Sequence, residues 1–184
     1  QGLCFVGKIK LPVFLQNQID PKKGDIIEIK STSKIYKKKI PLGESLNYKS
    51  TDGQKIGIHN GAHLFTIGQR KGVNIGGKKE PVFVIATNIK HNIIYVGMGK
   101  NHPGLFRESL KIKLREVHWL LESQRIKKKE KKEYMVRIRH RQSLQKASLH
   151  INSDYLYILF NNPQRGIAKG QFAAWYQQNT LIGS

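Results

Sequence analysis

The sequence lacks the features that mark secreted and membrane proteins. It has a single cysteine, Cys4, among 184 residues, so no disulfide can form within the chain, and this fits a reducing, cytoplasmic environment. It has no run of about 18 apolar residues, so we predict no transmembrane helix. The first residues lack an initiating methionine and do not resemble a signal peptide, which indicates a fragment of a longer protein.

Acidic residues are also scarce. Twelve Asp and Glu stand against 33 Lys and Arg, which gives a formal net charge of +21. A charge of this size favours polyanionic partners, with nucleic acid first and an acidic membrane surface second. The alternative is that the charge only keeps the protein soluble. No amphipathic apolar face accompanies the lysines, so we predict no membrane partner.

Recognisable catalytic motifs are missing as well. The seven histidines are scattered, and His59 and His63 have no third ligand nearby, so we predict no metal site. No phosphate-binding loop, Ser-His-Asp order or dinucleotide fingerprint occurs, so this chain alone has no evident means of activating ATP. Cys4 is the one plausible nucleophile, although its apolar neighbours alone favour a buried structural cysteine.

What the sequence does contain is a series of short apolar segments separated by turn residues, which predicts an all-β fold. Glycines and a proline before residue 105 predict a boundary between a central β-domain at 10–104 and a small C-terminal β-barrel at 105–184. Residues 30–55 are rich in lysine without apolar periodicity, which predicts a long mobile hairpin or insertion. We expect a solvated loop there, and the alternative is that its charge helps to hold a polyanion. The other predicted elements are a strand at 2–7, a short helix over Lys10–Gln18, strands at 26–29, 82–86, 93–96, 134–142, 147–151, 155–160 and 172–176, a β-bulge at Arg115-Glu116, and a loop from Asn162 to Gly170.

A glycine-rich stretch from Gly61 to Gly77 is the most distinctive part of the chain. It packs five glycines and an uninterrupted Gln69-Arg70-Lys71 into seventeen residues. Such density predicts positive backbone φ angles or close approach of another backbone. Two cations beside such glycines can present charge and free N–H groups to a phosphate. The alternative is a tight surface turn in which Arg70 and Lys71 are only solvated.

The alternation between Tyr134 and Gln142 predicts a half-buried strand. Tyr134, Val136 and Ile138 would point inward. A strand advances about 3.3 Å per residue, so outward guanidiniums at every second position would repeat at roughly 6.6 Å and could follow a phosphate backbone. The alternative is an ordinary exposed strand face. The outward residues are Arg137, Arg139 and Arg141.

Several motifs together resemble the tRNA-specific 2-thiouridylase family. They are Gly2-Leu3-Cys4-Phe5-Val6-Gly7, the Thr66-Ile67-Gly68-Gln69-Arg70-Lys71-Gly72 core of the glycine-rich stretch, Val117-His118-Trp119, Arg137-Ile138-Arg139-His140-Arg141-Gln142 and Gly170-Gln171. The resemblance implies a central β-domain and a C-terminal β-barrel similar to the second domain of translation elongation factors. Residues 1–9 would end a catalytic ATP-pyrophosphatase domain that this sequence lacks. The chain departs from the family in its longer lysine-rich segment and in Lys23-Gly24, where Pro-Gly is expected.

The resemblance also implies roles. Cys4 matches the cysteine that carries a persulfide, whose sulfur attacks C2 of the wobble uridine after ATP, bound with Mg²⁺ by the missing domain, has adenylated the C2 oxygen. A second cysteine then closes a disulfide, so this fragment alone is expected to be inactive. A persulfide protein, either a cysteine desulfurase or a relay carrier, would donate the sulfur.

The expected partner is the tRNA anticodon arm. Arg139, His140 and Gln171 match tRNA contacts of the family, and Arg137 and Arg141 lie in the same motif. Gln69, Arg70 and Lys71 would touch the anticodon arm, shape the mouth of the active site, or hold the interface to the missing domain. The competing interpretation is a noncatalytic RNA-binding β-barrel module of a translation or ribosome-associated protein.

Overall fold

A computed structural model describes residues 20–184, and within them the all-β prediction is confirmed. Ten strands form two sheets, and six short 3-10 turns lie between them in the chain. Cys4, the predicted strand at 2–7 and the predicted helix over Lys10–Gln18 lie outside the described residues. The strands are β1 (Gly24–Glu28), β2 (Gln54–His59), β3 (Val82–Asn88), β4 (Ile93–Met98), β5 (Phe106–Lys113), β6 (Lys131–Arg137), β7 (Gln145–Asn152), β8 (Tyr155–Arg165), β9 (Ala174–Gln177) and β10 (Thr180–Gly183).

The chain divides into two compact units. Among the described residues, the first comprises 20–36 together with Tyr48–Leu105, and the second comprises Lys37–Asn47 and Phe106–Ser184. Each unit contains one of the two sheets, and each is described separately below.

The first unit is built on a four-stranded sheet in the order β2-β1-β4-β3. Strand β1 pairs parallel with β4 and antiparallel with β2, while β3 and β4 form the predicted hairpin. The apolar run after Pro81 is buried on both faces, since Val84 and Ile85 are neighbours in sequence and both are inaccessible. Alternating side chains of a strand point to opposite faces, so this strand is covered on both sides. Strand β3 is at the edge of the sheet, and the glycine-rich stretch lies along it.

The second unit is an antiparallel six-stranded sheet in the order β10-β9-β6-β7-β8-β5. Its core is centred on Trp175, which is fully buried and packs edge-on against Trp119. Strands β5 and β10 stand at the two edges, so the strands form an open sheet. The chain just beyond β5 reaches β10 through hydrogen bonds between His118 and Ser184 and from Leu120 N–H to the Ile182 carbonyl.

Two local predictions for the second unit are wrong. Arg115-Glu116 lies in a 3-10 turn over Leu114–Glu116 rather than in a β-bulge. The loop predicted from Asn162 is also wrong as far as Arg165, because β8 continues through Pro163. The β5 ladder is interrupted opposite this point, where Arg107 pairs with Gln164 and Ser109 with Leu159. Proline lacks the N–H that a ladder needs, and an irregularity of this kind accommodates it.

The lysine-rich segment is not the solvated loop that its composition predicts. Ile35 and Tyr48 are buried, and the Tyr48 ring stacks on Tyr95 at 5.4 Å between centroids. Within the second unit, Gly43 N–H donates to Ser109 Oγ at 2.9 Å. The lysines around these positions are mostly exposed, so a few apolar and backbone anchors fix a segment whose average composition is polar.

Candidate nucleic-acid interface

The glycine-rich stretch runs from the end of β2 to the start of β3 and lies along the edge of β3. Gly68 N–H donates to the Val84 carbonyl at 2.7 Å, and Val84 N–H donates to the Gln69 carbonyl at 2.9 Å. These two bonds pair the loop with a strand edge that would otherwise be open. The predicted positive φ angles are confirmed at four of the five glycines, Gly61, Gly68, Gly72 and Gly77.

Buried polar side chains hold the start of this loop. Ala62 N–H donates to Asn92 Oδ1 at 2.9 Å, and Gly61 N–H donates to His59 Nδ1 at 2.9 Å. Burial lowers the pKa of His59, in keeping with an imidazole that accepts a hydrogen bond. Within residues 20–184 no three His, Cys, Asp or Glu side chains converge as a metal site would require.

The Gln69-Arg70-Lys71 trio divides into one structural residue and two free cations. Gln69 closes the turn on both sides, because its Oε1 accepts from Thr66 N–H at 3.1 Å and its Nε2 donates to the Lys71 carbonyl at 2.8 Å. Arg70 and Lys71 are exposed, and among the described residues their side chains have no hydrogen-bond or ion-pair partner. The loop therefore presents two exposed cations, and the Gln69 side chain holds the backbone that bears them.

The predicted row of three arginines on one strand is wrong. Strand β6 ends at Arg137, and Arg139, His140 and Arg141 lie in the turn that leads to β7. The cause is Gln142, whose Oε1 accepts the Ile138 N–H at 3.0 Å while its own N–H donates to the Arg139 carbonyl at 3.0 Å. The inward positions Tyr134, Val136 and Ile138 are buried as predicted.

The three arginines have different surroundings. The Arg137 guanidinium lies 4.7 Å from the centre of the Tyr176 ring and donates to the His140 carbonyl at 3.2 Å. Arg139 is exposed but donates to the Gly166 carbonyl at 2.6 Å. The Arg141 side chain is exposed and has no partner among the described residues. Arg137 and Arg139 thus shape the turn, and Arg141 is free to bind a ligand.

Gln171 lies in the neighbouring loop, between β8 and β9. Its Oε1 accepts the Ala168 N–H at 3.3 Å, so its amide Nε2 is left for a ligand. Strands β6 and β9 are antiparallel, with Arg137 opposite Ala174, so the residues after Arg137 and those before Ala174 lie at the same end of the sheet. The structure therefore brings Gln171 together with the turn at 139–141, called here the cationic turn.

Sequence reasoning missed Phe172, which it assigned to the start of a strand. Strand β9 begins only at Ala174, and Phe172 is 85% exposed. Gly170, two residues before Phe172, is the sequence signal for a loop here, and its φ of 78° agrees with it. Sequence reasoning also missed the role of Gln142, whose side chain bonds to Ile138 N–H just after β6. A single side-chain hydrogen bond of this kind leaves no periodic pattern in the sequence.

Two family models match the chain in succession. Residues 13–98 match a model described as a tRNA methyl transferase PRC-barrel domain, and residues 109–184 match one described as an aminomethyltransferase beta-barrel domain. The chain is similar to curated proteins named tRNA-specific 2-thiouridylase MnmA. Those from Flavobacterium johnsoniae, Christiangramia forsetii and Karelsulcia muelleri are 47%, 46% and 48% identical over the whole of this chain.

The chain belongs to the tRNA-specific 2-thiouridylase family. It spans about half the length of these curated relatives, 49%, 49% and 48% respectively. The glycine-rich loop lies within the first match, and the cationic turn lies within the second. Among the described residues no helix is long and apolar enough to cross a membrane.

Proposed function

We propose that this chain is the tRNA-recognition region of a sulfurtransferase that forms 2-thiouridine at the wobble position of tRNA anticodons. The observation that carries the proposal is the cationic turn with Gln171 beside it, at one end of the second sheet. Arg141 is free and exposed there, and Arg139 is held in place by Gly166. Guanidinium groups and amides are the donors that bind phosphate and sugar oxygens of RNA.

The glycine-rich loop supplies a second set of cations. Arg70 and Lys71 are exposed, while Gln69 keeps the turn closed behind them. A rigid loop loses little conformational freedom on binding, so two preorganised cations hold a phosphate more tightly than two mobile ones. We propose that Arg70 and Lys71 contact the anticodon arm and that Gln69 acts by positioning them.

The chemistry is proposed to begin with a persulfide on Cys4. Its terminal sulfur attacks C2 of the uridine, the C2–O bond to the adenylated oxygen breaks, and AMP leaves. A thiolate of a second cysteine then attacks the Cys4 sulfur, so the S–S bond to the transferred sulfur breaks and a disulfide forms between the two cysteines. A persulfide is a soft nucleophile that is ionised near neutral pH, which suits this substitution.

We propose that ATP and Mg²⁺ bind in a part of the protein outside this sequence. Among the described residues, no three His, Cys, Asp or Glu side chains converge as metal ligands. When bound, ATP supplies the adenylation that makes the C2 oxygen a leaving group. A cysteine desulfurase or a relay carrier is the proposed sulfur donor, and the cytoplasm the proposed location.

The test measures binding of the complete protein to a tRNA with a wobble uridine, across a salt series. Arg141→Ala should weaken binding and lower the slope of log affinity against log salt by about one. Arg115→Ala is the control, because Arg115 is also an exposed arginine of the same unit. Its neighbour Leu114 bonds to the Asp154 carbonyl, at the opposite end of β7 from the cationic turn. A salt slope that is unchanged by Arg141→Ala, or lowered equally by both variants, would contradict the proposal.

The noncatalytic RNA-binding module makes a different prediction for the same protein. It requires tRNA binding without formation of 2-thiouridine in any assembly that includes ATP and a persulfide donor. Nucleoside mass spectrometry of the tRNA after the reaction separates the two functions, because sulfur in place of the C2 oxygen changes the mass of the uridine.

A further inference from the structure

Phe172 is the most exposed large apolar side chain in the described part of the protein. The residue is 85% exposed, whereas the other exposed large apolar residues among those described reach 60% at most. An exposed phenyl ring lacks the favourable free energy that burial of its large apolar surface would contribute. The ring belongs to neither described core cluster, so packing of the unit does not explain it.

The loop that bears Phe172 is itself well defined. Gly166 and Gly170 take left-handed φ angles of 70° and 78°, and the Ala168 N–H is bonded to Gln171 Oε1. The buried Ala173 follows directly and leads into β9. The backbone on both sides of Phe172 is thus fixed, and the ring projects from an anchored position.

The surroundings of Phe172 are cationic and polar. Arg139 reaches this loop through its bond to the Gly166 carbonyl at 2.6 Å. The pairing of Arg137 with Ala174 places the cationic turn alongside the residues that precede β9. Lys169 and Gln171 are exposed in the loop itself. An apolar protein interface would need a contiguous apolar patch, and these neighbours do not form one.

An exposed aromatic ring among cations is the arrangement that binds single-stranded nucleic acid. The cations hold the phosphates, and an unpaired base stacks on the ring. A base in a duplex has its faces covered by its neighbours, so it is not available to the ring. The ring therefore distinguishes looped or unpaired RNA from paired RNA, which the cations alone do not.

We propose that Phe172 stacks on an unpaired base of the RNA whose backbone binds the cationic turn. The inference rests on the proposed function, since it needs RNA at this end of the sheet. It adds a contact to a base, and it makes this unit selective for an unpaired nucleotide next to a phosphate held by Arg139 or Arg141.

The test uses the complete protein and two RNAs of equal length, a hairpin with an unpaired loop and a blunt duplex. Phe172→Ala should weaken binding of the hairpin by about fivefold to a hundredfold, the range for loss of one stacked base. It should leave duplex binding within about twofold. Phe172→Trp should retain hairpin binding, and Leu120→Ala, which removes another exposed apolar side chain of the same unit, should have no effect.

A fluorescent 2-aminopurine in the hairpin loop reports the contact itself. Stacking quenches its emission, so the wild type and Phe172→Trp should quench it and Phe172→Ala should not. Phe172→Ala that binds the hairpin as tightly as wild type, or that loses hairpin and duplex affinity equally, overturns the stacking role. If Arg141→Ala also leaves hairpin binding unchanged, the proposed function is refuted together with the stacking role. If Arg141→Ala weakens hairpin binding and Phe172→Ala does not, only the stacking role is refuted.

Discussion

Gln69 holds its turn closed while Arg70 and Lys71 are free cations, so substitutions at Gln69 and Lys71 should have different effects. Gln69→Ala removes two hydrogen bonds from its side chain to the backbone, to Thr66 N–H and to the Lys71 carbonyl. A typical bond of this kind contributes about 0.5–1.5 kcal/mol, and these are partly exposed, so together they stabilise the closed turn by about 1–2 kcal/mol. Lys71→Ala removes only a free cation and leaves both bonds intact, because Gln69 bonds to its backbone.

Hydrogen exchange measures the local opening of this loop directly. A loss of about 1–2 kcal/mol should speed exchange of the amides of Thr66 and Gly68 by about fivefold to thirtyfold in Gln69→Ala. Exchange in β4 should not change. Lys71→Ala should exchange like the wild type but lower the salt slope of tRNA binding by about one.

The opposite pattern would refute this reasoning. If Gln69→Ala exchanges like the wild type and yet weakens tRNA binding more than Lys71→Ala does, then Gln69 contacts the RNA itself. The distinction between a positioning residue and two binding residues would then be wrong.

Three further predictions concern the nucleophile and the two cores. Cys4→Ser in the complete protein should abolish 2-thiouridine formation with tRNA affinity within about twofold of wild type; retained thiolation, measured by nucleoside mass spectrometry, would remove Cys4 from the mechanism. Trp175→Ala should lower the free energy of unfolding by about 3–5 kcal/mol in urea denaturation, because the side chain is fully buried; a loss below about 1 kcal/mol would contradict the packing. His102 is buried, with Nδ1 accepting the Gly104 N–H and Nε2 against the Ile29 carbonyl, and burial lowers its pKa. As the pH falls, His102 is therefore protonated in the unfolded chain before it is protonated in the folded one. The free energy of unfolding should be constant in this respect above about pH 6.5 and should fall below that pH, by up to about 1.4 kcal/mol per pH unit. His102→Gln should weaken this pH dependence, and an equal dependence in both proteins would refute it.

The strands that could be predicted from the sequence are those whose burial shows in a local pattern. The apolar run after Pro81 and the return at Ile93 give the β3–β4 hairpin, and Tyr134, Val136 and Ile138 give the inward face of β6. The end of β6 could not be predicted, because it depends on one hydrogen bond from Ile138 N–H to Gln142 Oε1. Alternation of residue types continues past that point although the strand does not.

The candidate site shows the same limit. Glycine density predicts the left-handed φ angles of the glycine-rich loop, since that preference is a property of the residue. Which of the three polar residues is free depends on where Thr66 and Lys71 present their backbone groups, and that follows only from the folded loop. Strand β10 was missed because four residues, with exposed Thr180 at the start, carry too little pattern.

The central claim is that RNA binds the cationic turn and the glycine-rich loop. Photocrosslinking of the complete protein to its tRNA, followed by peptide mapping, tests it most directly. We predict crosslinked peptides that contain Arg139–Arg141, Phe172, and Arg70 or Lys71, and a loss of the first of these in Arg141→Ala. Crosslinks confined to the lysine-rich residues 127–132, or to regions outside residues 20–184, would contradict the account.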